Sequence, residues 1–293
     1  MCLTLVLGGL LGTNAALAQS THVSEEPPVQ ILLIHHSCGG QLLAASGPKT
    51  TVGDTPNSQC IFDSHPNGGG LRLRLETAGF AVNEASYGSL VGQDTDIHHW
   101  HRKFRDHMDP IIRTRQQDEV LADGLTNRVV VFKSCYPNNN FVGPGTEPGD
   151  PDSPDLTLAN ARAAYQSLLP LFSRYPEVLF VAMTAPPLAD PRSQNLGSRI
   201  KRWFSRKPTS ASFAREFNTW LADPDSGWLA GYKTGNVATF DYYDLLTDQG
   251  VSDWAAYPTN GGKDSHPSSE GNTLAAEAFV QFLNGVLTRE SHR

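Results

Sequence analysis

Residues 31–40 read ILLIHHSCGG, and this stretch decides the predicted fold. Four apolar residues in a row are typical of a strand that is buried on both faces, as in a parallel sheet. The strand runs into His35, His36, Ser37 and Cys38, so polar and reactive side chains follow directly where it ends. Active sites of open α/β sheets gather at the carboxyl ends of the strands. We therefore predict a nucleophilic serine at Ser37; the alternative is a polar strand end closed by a turn.

Four further segments have the composition of strands, and helical patterns separate them. The predicted strands after the first lie at residues 81–85, 128–133, 178–183 and 237–240, and the predicted helices at 71–78, 109–121, 156–175, 211–221 and 267–287. Strands that alternate with helices are typical of a parallel sheet covered on both faces. No repeat or linker divides the chain. We predict one domain over residues 29–288, an α/β fold built as a three-layer α/β/α sandwich with a central, mainly parallel five-stranded sheet.

Composition and the amino terminus indicate where the protein works. The formal net charge of the 293 residues is −7, which disfavours nucleic acid as a partner. Residues 1–18 are apolar and uncharged and end in Ala16-Leu17-Ala18, which resembles a secretory signal peptide and its cleavage site. No other segment is long and apolar enough to span a bilayer. We expect a secreted or periplasmic protein, a monomer, with a short leader after cleavage and a solvated basic segment at residues 198–207.

Three cysteines remain after the predicted cleavage, namely Cys38, Cys60 and Cys135. An odd count in an exported protein indicates one disulfide and one free thiol. Cys38 and Cys135 both follow predicted strands, so Cys60 could be joined to either. The pairing stays open at this point, as does the alternative of three reduced thiols.

A candidate base for Ser37 lies just before the last predicted helix. The segment Lys263-Asp264-Ser265-His266-Pro267 places a histidine and a carboxylate two residues apart. A neutral histidine accepts a hydroxyl proton near neutral pH, and a carboxylate orients the ring and stabilises its charged form. Serine needs such a base because its hydroxyl is a weak nucleophile. The alternative is that His266 only caps the following helix.

Acyl transfer also needs donors for the negative charge that develops on the carbonyl oxygen. The candidates are the backbone N–H groups of Ser37 and Gly88 and the side-chain amide of Asn138, each just past a predicted strand. Asn139 competes with Asn138 for the last role. The Asn run could also simply form a turn.

The order of these segments resembles the SGNH (GDSL-like) hydrolase superfamily across about residues 29 to 288. The matching blocks read HHSCGG, ASYGSLVGQDTDIHHW, KSCYPNNN and DSHPSSEGN, as in a largely uncharacterised bacterial branch. The resemblance implies Ser37 as nucleophile, Gly88 and Asn138 as oxyanion donors, and Asp264 with His266 as the remaining catalytic pair. The sequence departs from the family pattern at His35-His36, where Gly-Asp is usual, and in the Asp264–His266 spacing, which is usually three.

A metal site is the competing interpretation of the histidines. The residues concerned are His35, His36, His65, His98, His99 and His101, with Asp63 and Asp96 as possible carboxylate ligands. Zinc and manganese hydrolases collect such ligands. The sequence has no ligand spacing such as HExxH, so we expect neither a metal nor another cofactor.

Three aromatic residues, Tyr87, Trp100 and Tyr136, are predicted to line a substrate cleft. Together these features predict a serine esterase, SGNH-type, that acts through an acyl-enzyme on a small or carbohydrate ester. An acyltransferase is possible if water is excluded from the acyl-enzyme. A metal-dependent hydrolase and a non-catalytic binding protein on the same fold are the alternatives.

Overall fold

A computed structural model of the chain describes residues 27–191 and 209–290. The predicted signal peptide and the basic segment at 198–207 lie outside these residues. The strands are β1 (Val29–Ile34), β2 (Ala45–Ser46), β3 (Thr50–Thr51), β4 (Phe62–His65), β5 (Phe80–Ala85), β6 (Thr114–Gln116), β7 (Glu119–Val120), β8 (Val129–Lys133), β9 (Leu179–Met183), β10 (Val237–Phe240), β11 (Pro258–Thr259) and β12 (Asp264–Pro267).

The helices alternate with the strands of the main sheet. They are α1 (Ser37–Leu43), α2 (Leu71–Thr77), α3 (Ile97–Arg113), α4 (Leu158–Gln166), α5 (Leu169–Phe172), α6 (Ser210–Ala222), α7 (Tyr242–Leu246) and α8 (Ser269–Glu290). Short 3-10 turns lie at Asn57–Gln59, Tyr136–Asn139 and Asn260–Gly262. No helix of the described chain is both long and apolar enough to span a membrane.

The main sheet has seven strands in the order β10-β9-β8-β1-β5-β6-β7. All neighbours run parallel except β6 and β7, which pair antiparallel. The five predicted strands are all present, at positions β1, β5, β8, β9 and β10. The predicted number is wrong because β6 and β7 extend the sheet beyond β5.

The extra strands occupy the segment for which we predicted a helix over residues 109–121. Helix α3 instead begins at Ile97, where Asp96 and His99 form a reciprocal capping box, and it ends at Arg113. Pro110 lies inside this helix, and the backbone at His107 leaves helical geometry just before it. A proline lacks the N–H of a helical hydrogen bond, so Asp109-Pro110 indicated a helix start where the chain has only a kink.

Two hydrophobic cores lie on opposite faces of the sheet. Side chains of successive strand residues point to opposite faces, so Leu32 and Ile34 pack on one core and Ile31 and Leu33 on the other. Helices α3 to α6 cover the first face, whereas α1, α2 and α8 cover the second. The three-layer arrangement places the strand ends, with their polar loops, at one edge between the helix layers.

The turn after β1 packs so closely that glycine is required there. An added Cβ at Gly39 falls 2.3 Å from Cβ of His35, and one at Gly40 falls 1.9 Å from the carbonyl oxygen of Cys60. Only the absence of a side chain lets α1 lie this close to its neighbours. The two glycines of the HHSCGG block therefore fix the position of the helix that begins at Ser37.

We expect Gly40→Ala to lower the free energy of unfolding by about 2 kcal/mol or more, because the new methyl group overlaps a backbone oxygen. Gly285→Ala is the matched control, since an added Cβ at this position in α8 has no atom within 4 Å. That variant should gain about 0.5–1 kcal/mol from helix propensity. Urea denaturation of both variants measures the difference, and equal midpoints would contradict the close packing of α1.

Candidate active site

The structure brings Ser37, His266 and Asp264 into one hydrogen-bonded line. Ser37 is the first residue of α1, directly after the β1 end, and His266 lies on β12 just before α8. Ser37 Oγ lies 2.9 Å from Nε2 of His266, and Nδ1 of His266 lies 2.7 Å from Oδ1 of Asp264. The carboxylate accepts from Nδ1–H, which leaves Nε2 as the acceptor for the serine hydroxyl. This geometry is what nucleophilic catalysis by a serine requires.

The two-residue spacing of Asp264 and His266 is compatible with this line because the aspartate folds back on the chain. Its Oδ1 also accepts the backbone N–H of His266 at 3.0 Å. Partial burial by itself would raise the pKa of Asp264, but the backbone and ring hydrogen bonds from His266 outweigh it and the pKa is lowered. Asp264 is thus held as a carboxylate that fixes both the backbone and the ring of His266.

Two of the three predicted cleft aromatics lie beside this site. The ring of Tyr136 meets the His266 ring edge-on at 5.0 Å between centroids. The ring of Tyr87 stacks on His36, which precedes the nucleophile, at 3.5 Å. Trp100 does not fit the prediction: it is fully buried in the core, where its Nε1–H donates to Ser134 Oγ at 2.8 Å. It lies on the buried face of α3, so it packs in the core and does not line a cleft.

The predicted oxyanion donors differ in whether their N–H groups already donate to an acceptor within the protein. Ser37 N–H is at the first position of a helix, where amides have no partner within the helix. Gly88, with φ of 80°, donates its N–H to Oε1 of Gln93 at 2.9 Å. Asn138 is buried, accepts the Ile97 N–H through Oδ1, and donates one amide hydrogen to Asp96 at 2.8 Å. A substrate oxygen at Gly88 therefore has to replace Gln93, and Asn138 has one amide hydrogen left.

Asn139 does not fit as an oxyanion donor. Its amide nitrogen donates to the carbonyl oxygens of Ala185 and Pro186, at 3.0 and 2.8 Å. Its Oδ1 accepts from Asn218 at 2.8 Å. These bonds use both amide hydrogens, so the side chain ties the loop after β8 to the loop after β9 and to α6.

His35, the first of the two histidines before Ser37, is buried and bound through both ring nitrogens. The ring is 2% exposed, with Nε2 2.7 Å from Oε1 of Glu84 and Nδ1 2.8 Å from the carbonyl oxygen of His36. Both ring nitrogens face oxygen acceptors, and the ring pairs with the Glu84 carboxylate. Arg72 binds the other oxygen of Glu84. A buried charge network therefore lies directly beneath the start of α1.

His36 holds the loop that carries Gly88. Its Nε2–H donates to the carbonyl oxygen of Gly92 at 3.0 Å. Burial lowers the pKa of His36 to about 4, although the hydrogen bond to Gly92 opposes the shift. The ring is therefore neutral near pH 7 and serves as a donor and a stacking surface for Tyr87.

Lys103 is a positioning residue that sequence reasoning missed. It lies on α3, is 5% exposed, and its ammonium donates to the carbonyl oxygens of Val91 and Gln93. Burial lowers its pKa to about 8. The lysine therefore holds the segment whose Gln93 side chain binds Gly88. No pattern in the sequence distinguishes it from the solvated lysines.

The histidine-rich segment forms one cluster that suits a metal. Within the described chain, Asp96, His98 and His99 each offer one ligand atom, and these atoms lie within 4.8 Å of one another. His101 instead pairs with Asp152 at 3.0 Å, and His35 and His36 are bound as described above. The cluster connects to the candidate site through Asp96, which accepts from Asn138.

Comparison with known proteins finds distant similarity only. No family model matches the chain, and no curated protein matches it either. The chain is similar to a solved structure of a carbohydrate esterase family 2 enzyme plus carbohydrate binding domain from Corynascus thermopiles (Myceliophthora fergusii), with 14% identity and a TM-score of 0.41 over 89% of this chain and 67% of that one. It is also similar to a family two carbohydrate esterase from Clostridium thermocellum in complex with cellohexaose, with 16% identity and a TM-score of 0.38 over 90% of this chain and 66% of that one. The function proposed below therefore rests on the geometry of the site.

Proposed function

We propose that this protein is a serine esterase that hydrolyses carboxylic esters through an acyl-enzyme on Ser37. The observation that carries the proposal is the hydrogen-bonded line from Ser37 Oγ through His266 to Asp264. Its two distances, 2.9 and 2.7 Å, lie within hydrogen-bond reach for a nucleophile, its base and the group that orients the base.

In the first half-reaction, Ser37 Oγ attacks the acyl carbon while Nε2 of His266 takes the hydroxyl proton. The imidazolium that forms is stabilised by Asp264, which holds Nδ1–H throughout. When the intermediate collapses, His266 gives its proton to the departing alcohol oxygen. A water then attacks the acyl-enzyme with His266 as base, and Ser37 is restored.

Charge on the acyl oxygen is stabilised by donors at the edge of the sheet. The Ser37 N–H lies on the nucleophile itself, and Gly88 N–H and the remaining amide hydrogen of Asn138 come from the loops after β5 and β8. One such donor contributes about 3–4 kcal/mol to transition-state stabilisation. Gly88 acts only when the acyl oxygen replaces Oε1 of Gln93.

The substrate class we propose is an O-acylated carbohydrate or another small ester. Tyr87 and Tyr136 flank the site, and flat aromatic faces suit sugar rings and small acyl groups. Transfer to a sugar hydroxyl instead of water uses the same acyl-enzyme, so an acyltransferase is an outcome of the same assays. A screen of p-nitrophenyl acetate, longer acyl esters and acetylated polysaccharides distinguishes these: release of free acetate supports hydrolysis, and acylated acceptor without free acetate supports transfer.

We expect a fluorophosphonate probe to label the purified protein on Ser37 and on no other serine. The label forms because the Ser37 hydroxyl lies 2.9 Å from Nε2 of His266, which can take its proton. Mass spectrometry of tryptic peptides locates it. Ser173→Ala is the control, since Ser173 is exposed and its hydroxyl only donates to Pro170. Labelling that persists in Ser37→Ala would overturn the proposed nucleophile.

A metal-dependent hydrolase is the second candidate, and the cluster of Asp96, His98 and His99 favours it. Chelator treatment followed by addition of zinc or manganese tests it with the same ester substrates. We expect activity to be unchanged by the chelator. Loss of activity that zinc restores, in a protein that the fluorophosphonate does not label, would favour the metal. A protein with neither response would be a binding module on this fold.

A further inference from the structure

The three described cysteines are free thiols, yet two of them are in contact. Cys38 follows the nucleophile in the first turn of α1, and Cys135 follows the end of β8. Their Sγ atoms lie 3.0 Å apart, about 1 Å longer than a disulfide bond of about 2.05 Å. Cys60 lies apart, with its Sγ near the Ser58 carbonyl oxygen at 4.0 Å. The sulfur atoms of Cys38 and Cys135 are therefore in contact, which makes these two residues the candidates for a bond.

The surroundings of the two sulfur atoms suit thiol–disulfide exchange. Cys38 is fully buried, and burial raises the pKa of its thiol. Cys135 is 8% exposed, and the hydrogen bond with Cys38, together with the nearby Lys133 ammonium, lowers the pKa of its thiol against the effect of burial. The thiolate is the attacking species in exchange. Cys135 is also the more exposed of the two, so an external disulfide reaches its sulfur first, and Cys38 then resolves the mixed disulfide.

We propose that Cys38 and Cys135 form a disulfide that joins α1 to the loop after β8 directly beneath the nucleophile. The oxidant is a small or protein disulfide. The Cys135 thiolate attacks one of its sulfurs and releases the first thiolate, which leaves a mixed disulfide on Cys135. Cys38, as its thiolate, then attacks Cys135 Sγ and releases the second. The cysteine pair loses two electrons, the oxidant gains them, and the two thiol protons end on the two released thiols.

The bond acts on the candidate site because Cys135 also lies against the nucleophile. Its Sγ is 3.5 Å from Ser37 Oγ, so the reduced sulfur hydrogen-bonds with the hydroxyl that His266 has to activate. A disulfide sulfur carries neither an S–H nor a thiolate charge, so this hydrogen bond weakens, and the disulfide bond holds Ser37 against the loop that carries Tyr136 and Asn138. The activity consequence rests on the proposed esterase function; the bond itself does not.

The test starts from the full-length purified protein, incubated either with oxidised glutathione or with a reductant. Each sample is denatured, alkylated and mapped by mass spectrometry. After oxidation we expect Cys38 and Cys135 to be unmodified and their peptides to be cross-linked, while Cys60 is alkylated. Cys60→Ser is the matched control and should give the same cross-link. Alkylation of both Cys38 and Cys135 after oxidation, or a cross-link that contains Cys60, would overturn the proposal.

Thermal unfolding supplies a second readout that does not depend on catalysis. The 38–135 bond closes a long loop, so oxidation should raise the Tm by about 5–10 °C, and Cys38→Ala should abolish the shift. An unchanged Tm in a cross-linked sample would overturn the role in holding α1. Ester hydrolysis by the oxidised protein should be at least equal to that of the reduced protein. If neither sample hydrolyses any ester, the esterase proposal fails. The disulfide proposal is still tested, because mass spectrometry detects the cross-link without any activity.

Discussion

Replacing Ser37 by alanine is expected to lower kcat/KM for ester hydrolysis by about 10⁴–10⁶-fold, because the acyl-enzyme can no longer form. His266→Ala should cost about as much, since Nε2 of His266, 2.9 Å from Ser37 Oγ, is the base that takes its proton. Initial rates with p-nitrophenyl acetate over a range of concentrations measure both effects. KM should change little, because neither side chain holds the substrate in its ground state.

The double variant makes the test specific to a catalytic unit. Ser37 and His266 act on one proton, so the variant that lacks both should be no slower than either single variant. Asp264→Ala should cost less than His266→Ala because the base itself remains and only the carboxylate that orients it is lost. Circular dichroism of each variant excludes unfolding as the cause. Losses in Ser37→Ala and His266→Ala that multiply in the double variant would mean that the two residues act independently and that the triad is wrong.

The sequence predicted those elements whose pattern lies within a few neighbouring residues, and it missed those that depend on packing. The segments at β1, β8 and β9 are short apolar runs between turn residues, and all three are central strands. The β6–β7 hairpin was missed because it follows a helix that continues through Pro110, and the capping of that helix at Asp96 involves a His99 side chain. A proline is usually read as a helix start or stop, and the kink at His107 that accommodates it depends on packing.

Within the site, the order of the blocks predicted which residues follow which strand, but not their hydrogen-bond partners. Ser37 was found because polar residues gather at strand ends of a parallel sheet, and His266 because it stands with a carboxylate just before the last helix. Asn138 and Asn139 have the same local sequence, and only their partners on α3 and in the loop after β9 distinguish them. Trp100 shows the same limit, since the face of α3 that is buried follows from the three-dimensional packing.

The His35–Glu84–Arg72 network is where a single charge change should affect stability most. Glu84 is 2% exposed, and its two oxygens bind the His35 ring and the Arg72 guanidinium. In Glu84→Gln the shape is nearly kept, but Arg72 loses its counter-charge and the buried His35 ring loses the carboxylate that it binds. Removing one member of a buried ion pair costs about 3–5 kcal/mol, and urea denaturation at pH 7 should show a loss of that size.

Glu277→Gln is the matched control, because Glu277 pairs with Arg74 on the surface, where both side chains are more than a third exposed. Such a pair contributes about 0–1 kcal/mol. The same loss in both variants would mean that the Glu84 network does not act as a buried charge pair. A loss confined to Glu84→Gln would support it.

The pH dependence of the free energy of unfolding shows how much of the Glu84 contribution comes from its charge and how much from the packing of its side chain. Burial alone would raise the pKa of this carboxyl, but the Arg72 charge and the His35 hydrogen bond outweigh it, and the folded-state pKa is lowered. Below the ordinary glutamate pKa the unfolded chain therefore binds more protons than the folded one, so stability falls as the pH drops through the lowered value. Unfolding midpoints between about pH 3 and 7, which span the ordinary carboxyl range, should show this fall in the native protein and a shallower one in Glu84→Gln. Because His35 also donates to the His36 carbonyl that starts α1, the variant should lose kcat as well, at every pH where it is folded.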